Sequence, residues 1–302
     1  MRILVLGRSG YLGRHVAERL GDLPGVRLLD GGRSPGSRYR IDLAADRPED
    51  LAKTLAAAAP DAVVNCAGAT GGDPVTLAEV NARGPAALCA ALHEAAPTAR
   101  LVHLGSAAEY GPGTAGTRVT ETATAAPTTP YGATKLAGTL AVTASGLAAV
   151  VLRVGNPVGP GAPATSLPGR LAALLAEAGP GPEAVLRLGD LSAHRDFVDV
   201  RDLARAVELA VTAPGPLPPV LNIGAGQAVP VRELVHTLAE QAGFQGRIEE
   251  DAGGSARSGA VSWQCSDVSA AARALGWRPA GTLKGMLTAL WRTTADGDRA
   301  AP

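Results

Sequence analysis

The sequence has few aromatic residues, few cysteines and no excess of either charge. Phe, Trp and Tyr make up only 3% of the 302 residues, so the core must be built from Ala, Val and Leu. Lys and Arg together number 28, and so do Asp and Glu. This balance argues against a nucleic-acid partner, which needs a basic surface. Hydrophobic residues make up 46%, which excludes a disordered chain.

The three cysteines, Cys66, Cys89 and Cys265, are odd in number and far apart. The sequence therefore predicts neither a disulfide framework nor a metal site. The apolar run before Gly7 is too short for a signal peptide, and no segment approaches the length of a membrane span. We expect a cytoplasmic protein with no membrane partner, large enough for one big domain or two modest ones.

Short apolar runs alternate with longer amphipathic segments through the first half of the chain. This alternation predicts an α/β fold, a doubly wound parallel sheet of the Rossmann type. The predicted strands are 2–6, 26–29, 62–66, 100–104 and 149–154, and the predicted helices are 11–22, 48–59, 75–95 and 130–145.

The second half is richer in Pro and Gly and less regular, which indicates a smaller, mixed substrate domain. We assign 1–157 to a dinucleotide-binding domain, with 196–226 crossing back to it, and 158–302 to substrate binding. The predicted helices here are 167–178, 200–212, 230–242 and 280–292, and the predicted strands are 185–188 and 220–223.

A glycine-rich turn, GRSGYLG, follows the first strand and opens the first helix. Glycine lets the backbone approach a pyrophosphate closely, and a helix N-terminus offers it unpaired N–H groups. The alternative is a tight turn without a ligand. We assign the whole turn to a cofactor: Gly7, Arg8, Ser9, Gly10, Tyr11, Leu12 and Gly13.

The residues near the end of the second strand determine which dinucleotide cofactor binds. Asp30 has the spacing of an acidic residue that binds the ribose 2′-hydroxyl of NAD(H). Arg33 and Arg8 flank the same pocket, and a guanidinium pairs well with the 2′-phosphate of NADP(H). We favour NADP(H), with NAD(H) as the alternative; solvated surface arginines are the competing explanation.

Ser106, Tyr131 and Lys135 form a candidate catalytic group. Tyr131 and Lys135 are four residues apart on a predicted helix, so the ammonium can lie beside the phenol. A nearby cation lowers the pKa of a phenol and makes it usable as an acid or base. Ser106 follows a strand and can hydrogen-bond the reacting oxygen. Each residue alone is ordinary, and their combination carries the interpretation.

Together these motifs resemble the extended short-chain dehydrogenase/reductase family, over nearly the whole chain. The segments that match are NCAG at 65–68, PYGATK at 130–135, RVGNPVGPG at 153–161 and RDFVDVRDLARA at 195–206. The resemblance implies a catalytic triad of Ser106, Tyr131 and Lys135. It adds cofactor contacts at Asp42, Leu43, Cys66, Ala67 and Gly68, besides Tyr131 and Lys135.

The resemblance also implies a nucleotide-diphosphate sugar as substrate, bound between the two halves. Asn156 and Arg195 match positions that hold the diphosphate, and Arg257 is a candidate second clamp. An ion pair between the halves is the alternative role for Arg195. Homodimerisation is expected through the helices at 75–95 and 130–145.

Two sets of catalytic residues found in members of this family are absent from the chain, which reduces the number of possible reactions. Dehydratases of this family carry an Asp-Glu pair directly after the triad's hydroxyl residue, where this chain has Ala107 and Ala108. Relatives that epimerise at C3 and C5 carry a Cys at the position of Ala108. Methyl groups cannot transfer protons, so hydride transfer at a single carbon remains.

The sequence therefore predicts NADPH-dependent reduction of a ketone on a nucleotide-diphosphate deoxysugar, with Tyr131 as proton donor. The alternatives are an NAD-dependent C4 epimerase and a ketoreductase of a non-sugar natural-product intermediate. A cofactor sensor that has lost its chemistry is a further possibility, although such proteins commonly lack the Tyr or Lys.

Overall fold

A seven-stranded parallel sheet forms the centre of the computed structural model, which describes residues 1–250 and 261–299. The order across the sheet is β10-β6-β5-β4-β1-β2-β3, which changes direction between β1 and β4. The strands are β1 Arg2–Leu6, β2 Arg27–Gly32, β3 Tyr39–Arg40, β4 Ala62–Asn65, β5 Arg100–Ser106, β6 Ala149–Val154, β7 Asn156–Val158, β8 Val185–Leu188, β9 His194–Asp199, β10 Val220–Ile223, β11 Ala228–Pro230 and β12 Arg247–Glu250.

Helices cover both faces of this sheet, as the α/β prediction requires. The helices are α1 Tyr11–Gly21, α2 Pro48–Ala58, α3 Pro74–Ala78, α4 Gly84–Ala95, α5 Pro130–Thr143, α6 Leu167–Ala178, α7 Val200–Thr212, α8 Val231–Gln241, α9 Ser269–Leu275 and α10 Leu283–Arg299. One core lies between the sheet and α1, α7 and α9; a second lies between the sheet and α2, α4 and α5. The prediction of a Rossmann-type doubly wound sheet is confirmed.

The central strands form because their residues are apolar on both sides. In β1, Ile3, Leu4 and Val5 are all fully buried, as are Val63 and Val64 in β4. A parallel sheet with helices on both faces buries consecutive side chains, so its strands have continuous apolar runs rather than alternation. This pattern places the carboxyl ends of β1, β4 and β5 at one edge of the sheet.

A smaller part of the fold has its own core beneath α6, α8 and α10. It contains a three-stranded sheet, in the order β11-β9-β7, and a two-stranded sheet of β12 and β8. β10, although late in the chain, pairs with β6 in the large sheet. The chain therefore visits the small sheet and returns to the large one before residue 224.

Some predicted elements differ from the structure. The single helix predicted over 75–95 is interrupted by a π-helical turn, Glu79–Arg83, which separates α3 from α4. The last helix begins at Leu283 rather than residue 280, because the N–H groups of Ala280 and Gly281 both donate to the Asp202 carboxylate. The sequence analysis missed β3, β7, β9, β11, β12 and α9. Within residues 1–250 and 261–299, no helix combines the length and apolar character that crossing a membrane requires.

Candidate active site

A cleft of about 710 Å³ opens beside the carboxyl ends of β1, β2 and β4, next to the point where the strand order reverses. Open α/β sheets bind their ligands at such a point, and this volume is in the usual range for a ligand site. Most of the predicted cofactor residues line it: Gly7, Arg8, Ser9, Gly10, Asp30, Arg33, Asp42, Leu43, Cys66, Ala67 and Gly68. Tyr11, Leu12, Gly13, Tyr131 and Lys135 are not among its lining residues.

The glycine turn has the geometry that a pyrophosphate needs. Gly7 directly follows the last residue of β1, and its φ of +76° lies in the left-handed region that favours glycine. A Cβ on Gly13 would lie 2.0 Å from the Gly7 carbonyl oxygen, so only glycine fits there. No side chain caps the start of α1, which leaves the first-turn N–H groups available to an anion. These features fit a bound dinucleotide.

Tyr11 lies beside the cleft with an unusual hydroxyl group. Its oxygen is buried and has no hydrogen-bond partner among the described residues. Burial, with a further contribution from the charge of Asp199, raises the pKa of this phenol above its ordinary value. A Cβ on Gly159 would lie 3.7 Å from the hydroxyl, so Tyr11 faces the loop that follows β7. An unsatisfied polar atom here also fits a polar ligand group.

The adenosine side of the cleft is formed by β2 and the loop after it. β2 extends through Asp30 to Gly32, further than predicted, so Asp30 lies within the strand. The sequence analysis missed several lining residues. For those in the run GGRSPGS at 31–37 the signal was the small size of most of the side chains, which leaves space for a ligand. The missed residues are Leu6, Gly31, Gly32, Ser34, Gly36, Ser37, Ile41, Ala44 and Val80.

Ser106 ends β5 and begins a short 3-10 turn. Its Oγ accepts a hydrogen bond from the Ala108 N–H at 3.2 Å, so its own hydroxyl proton remains available for donation. The start of α5 packs closely on this turn, because a Cβ on Gly132 would lie 2.5 Å from the Ala108 carbonyl oxygen. Ser106 and the first turn of α5, which carries half-buried Tyr131, are therefore neighbours.

Lys135 is buried between α5 and β5. Its Nζ donates to the Leu104 carbonyl oxygen at 2.5 Å, two residues before Ser106. Burial lowers the pKa of Lys135 to about 8, and the negative charge of Glu109 opposes that shift. A Cβ on Gly68 would lie 3.9 Å from Nζ, so the ammonium group lies directly below the floor of the cleft.

Asn81 fixes the loop that carries Cys66, Ala67 and Gly68. Its Oδ1 accepts from the Ala69 N–H at 2.9 Å, and its Nδ2 donates to the Ala69 carbonyl oxygen at 2.8 Å. Asn81 lies in the π-helical turn, so this irregular turn aims the amide at the loop. Burial raises the pKa of the Cys66 thiol to about 12, which keeps it neutral and unreactive.

The predicted substrate residues lie away from this cleft, in the small three-stranded sheet. Asn156 Nδ2 donates to Gln264 Oε1 at 2.7 Å and to the Asp196 carbonyl oxygen at 3.2 Å. Arg195 is half-buried, donates to the His194 carbonyl oxygen, and has its pKa lowered by burial. None of the ion pairs formed by the described residues includes Arg195. Arg257 lies outside the described residues.

Comparison with known proteins decides the family. The NAD dependent epimerase/dehydratase family matches residues 3–224. The chain belongs to this family. It is 39% identical to dTDP-6-deoxy-L-talose 4-dehydrogenase (NAD(P)(+)) of Kitasatospora kifunensis, with 96% of this chain and 94% of that protein covered. The family assignment predicted from the motifs is confirmed, and with it the prediction of an NAD(P)-dependent oxidoreductase or epimerase.

Two solved structures of this family superimpose closely on the chain. One is RMD from Pseudomonas aeruginosa complexed with NADPH, with a TM-score of 0.85, 27% identity and coverage of 98% and 99%. The other is UDP-glucose-4-epimerase from Stenotrophomonas maltophila with bound NAD and formylated UDP-arabinopyranose, with a TM-score of 0.84, 27% identity and full coverage of both chains. Its family relatives thus hold either cofactor on this fold.

Proposed function

We propose that this enzyme uses NADPH to reduce the C4 ketone of a dTDP-linked 6-deoxysugar, with Tyr131 as the proton donor. The observation that carries the proposal is the placement of Lys135, buried below Gly68 of the cofactor cleft and bonded to the strand that ends at Ser106. The 39% identical relative supports the choice of carbon and nucleotide, since its name specifies a dTDP-6-deoxy sugar and its C4.

Each residue of the triad has one task in this reaction. When bound, NADPH supplies the hydride that reaches the carbonyl carbon. Ser106 donates its hydroxyl proton in a hydrogen bond to the carbonyl oxygen and so orients the ketone. Tyr131 transfers its proton to the same oxygen, and the positive charge on Lys135 lowers the pKa of the phenol for that transfer. Ala107 and Ala108 cannot move protons, so water is not eliminated from the sugar.

NADP(H) is proposed over NAD(H) because of the groups after β2. Arg8 and Arg33 line the cleft together with the hydroxyl residues Ser34 and Ser37. A phosphate dianion is well matched by guanidinium and hydroxyl donors, whereas a ribose hydroxyl needs only an acceptor such as Asp30.

The substrate is proposed to bind between the dinucleotide-binding domain, 1–157, and the substrate-binding domain, 158–302. The diphosphate is held there by the half-buried guanidinium of Arg195 and the amide of Asn156, with Arg257 as a second clamp. A guanidinium that pairs with no carboxylate among the described residues supports this role.

A direct assay tests the proposed function. The purified enzyme is mixed with NADPH and a dTDP-4-keto-6-deoxyhexose, and the loss of reduced nicotinamide absorbance is followed with the appearance of the C4 alcohol. We expect one NADPH consumed per alcohol formed, and slower turnover with NADH. Absence of NADPH oxidation with this ketone, in a protein that still binds NADPH, contradicts the proposal. The same assay with a non-sugar ketone tests the natural-product alternative.

The second candidate is an NAD-dependent C4 epimerase. It is favoured by Asp30, whose carboxylate lines the cleft where an NAD ribose would bind, and by the NAD-bound epimerase of the same fold. Such an enzyme retains NAD through purification and interconverts two C4 alcohols without net consumption of cofactor. Tightly held NAD in the purified protein, with no turnover of free NADPH, would select the epimerase.

We also propose a cytoplasmic homodimer that uses the exposed faces of α4 and α5. Leu140 on α5 is 58% exposed, a large apolar side chain in the predicted interface. We expect Leu140→Glu to shift the protein from dimer to monomer in light scattering, because the new charges would be buried against each other. Ala173→Glu, on the exposed side of α6, serves as the control and should leave the mass unchanged. A monomeric native protein rules out the dimer.

A further inference from the structure

A buried ion pair lies directly behind the triad. Glu109, in the 3-10 turn after β5, is completely buried, and its Oε2 accepts from Arg153 Nε on β6 at 2.7 Å. The Arg153 guanidinium also stacks over the Tyr110 ring at 4.5 Å. Burying two charges costs more free energy than burying two apolar groups of the same size. An ion pair in this position therefore calls for a role beyond holding the fold together.

The second oxygen of Glu109 contacts the triad itself. Glu109 Oε1 accepts from the Ser106 N–H at 2.7 Å, while Ser106 Oγ accepts from the turn, so side chain and backbone of the two residues hold each other. The carboxylate has space because residue 105 is glycine: a Cβ there would lie 2.7 Å from Oε1. The backbone of Ser106, and with it the direction of its hydroxyl, is fixed by Glu109.

The charge of Glu109 also acts on Lys135. Burial alone favours the neutral amine, and Glu109 is the largest of the influences that favour the ammonium form. The titratable and charged groups around Lys135 come from several elements: the Cys66 thiol after β4, the His103 imidazole on β5, the Glu109 carboxylate with its partner Arg153 on β6, and Tyr131 on α5 itself. Burial keeps both Cys66 and His103 in their neutral forms, so among the described residues it is chiefly the Glu109 carboxylate that favours the ammonium form of Lys135.

We propose that Glu109 is a positioning residue for the reaction: one carboxylate oxygen holds the Ser106 backbone, and the carboxylate, packed against Gly105, places its charge near Lys135, which bonds to the neighbouring Leu104 carbonyl oxygen. Arg153 holds the carboxylate in place through the bond from its Nε to Oε2. This inference rests on the proposed function for its consequence in catalysis, but the interaction with Lys135 exists in the protein without substrate and can be measured there.

The direction of the pH effect follows from the charges. With Glu109 present, the pKa of Lys135 is about 8, so the ammonium form predominates at neutral pH. Without the carboxylate, the largest influence that opposes desolvation is lost, and the amine loses its proton at lower pH. Above that pH the neutral amine no longer lowers the pKa of Tyr131, so the alkaline fall in kcat moves to lower pH.

The chain allows this to be measured directly because it has only three lysines, Lys53, Lys135 and Lys284. Protein labelled with carbon-13 at lysine Cε gives three signals, whose shifts follow protonation of each Nζ. Lys53 and Lys284 are exposed and serve as internal references. In the native protein we expect one of the three signals, that of Lys135, to have its midpoint near pH 8.

Glu109→Gln keeps an acceptor for the Ser106 N–H and removes the charge. We expect the Lys135 midpoint to fall by about one pH unit, and Glu109→Asp to restore most of it. Glu208→Gln, which breaks the exposed ion pair with Arg19, is the matched control and should leave the midpoint unchanged. An unchanged Lys135 midpoint in Glu109→Gln overturns the inference.

Glu109→Gln leaves Arg153 buried without its partner, and this variant risks failing to fold. Glu109→Gln/Arg153→Gln removes both charges and avoids that penalty. Because Glu109 acts on Lys135 more strongly than Arg153, we expect a smaller fall of the midpoint in the same direction. No fall in the double variant then overturns the inference.

The pH profile of kcat separates this inference from the proposed function. In Glu109→Gln we expect the alkaline limb to move to lower pH together with the lysine midpoint. If the protein reduces no sugar-nucleotide ketone, the proposed function is wrong. The lysine titration still tests, independently of activity, whether Glu109 controls the pKa of Lys135. A moved midpoint with an unmoved kcat limb rejects the catalytic part of the inference alone.

Discussion

Replacement of Tyr131 by Phe should reduce kcat by about 10² to 10⁴, the contribution of a positioned general acid. The phenyl ring fills the same space, so the fold and the dissociation constant for NADPH should change little. Turnover is measured with the dTDP-linked ketone at saturating NADPH, and cofactor binding is followed by nicotinamide fluorescence. The expected signature is a protein that binds NADPH normally and hardly consumes it.

The chain offers a matched control in Tyr39→Phe. Tyr39 is half-buried in β3 at the far edge of the sheet and does not line the cleft. This change also removes a single hydroxyl from a tyrosine, and we expect activity close to that of the native enzyme. If Tyr131→Phe retains full activity, another residue supplies the proton and the assignment of the triad is wrong.

Replacement of Arg33 by Ala should weaken NADPH binding by about tenfold to a hundredfold and leave NADH binding nearly unchanged. The difference arises because hydrogen bonds to a charged group contribute about 1.5–3 kcal/mol, and only NADPH carries the 2′-phosphate. Dissociation constants for both cofactors are measured by fluorescence titration at constant ionic strength, since salt screens the interaction.

Arg38→Ala is the control for Arg33. Arg38 belongs to the same loop after β2, but its guanidinium lies over the Tyr39 ring and not among the cleft residues. Loss of this charge should change NADPH binding little. Equal weakening of NADPH and NADH by Arg33→Ala would show that Arg33 does not select the 2′-phosphate, and would favour the NAD-dependent epimerase.

The regular helices and strands of the fold could be predicted because their buried positions are occupied by apolar residues, which can be recognised in the sequence. β6 was predicted with its observed ends because most of its residues are apolar, and α1 was predicted within one residue because its apolar residues recur on one face of the helix. The edge strand β3 has only two residues, Tyr39 and Arg40, which is too short for any pattern. β9 was missed because its first half, which pairs with β11, consists of His194, Arg195 and Asp196 and so lacks an apolar pattern.

The residues proposed for the site because of their type could be chosen from the sequence, whereas those whose role depends on the path of the backbone could not. The glycine turn and the triad follow from side-chain chemistry and spacing, and the structure brings Ser106, Lys135 and the start of α5 together. The π-helical turn that aims Asn81 at Ala69 has no spacing signature, since it arises from one extra residue in a helical pattern. The contact of Glu109 with Ser106 likewise depends on the 3-10 turn, and no sequence pattern predicts that turn.

Strand β10 is synthesised well after β6, the strand with which it pairs. Residues 1–154 contain every strand from β1 to β6, yet β6 pairs on its outer side with residues 220–223. A nascent chain still shorter than this carries an almost complete nucleotide-binding sheet whose outermost ladder of N–H and C=O groups is open, the kind of edge that invites pairing between chains. Emergence of residues 220–223 from the ribosome is thus what covers the outer side of β6.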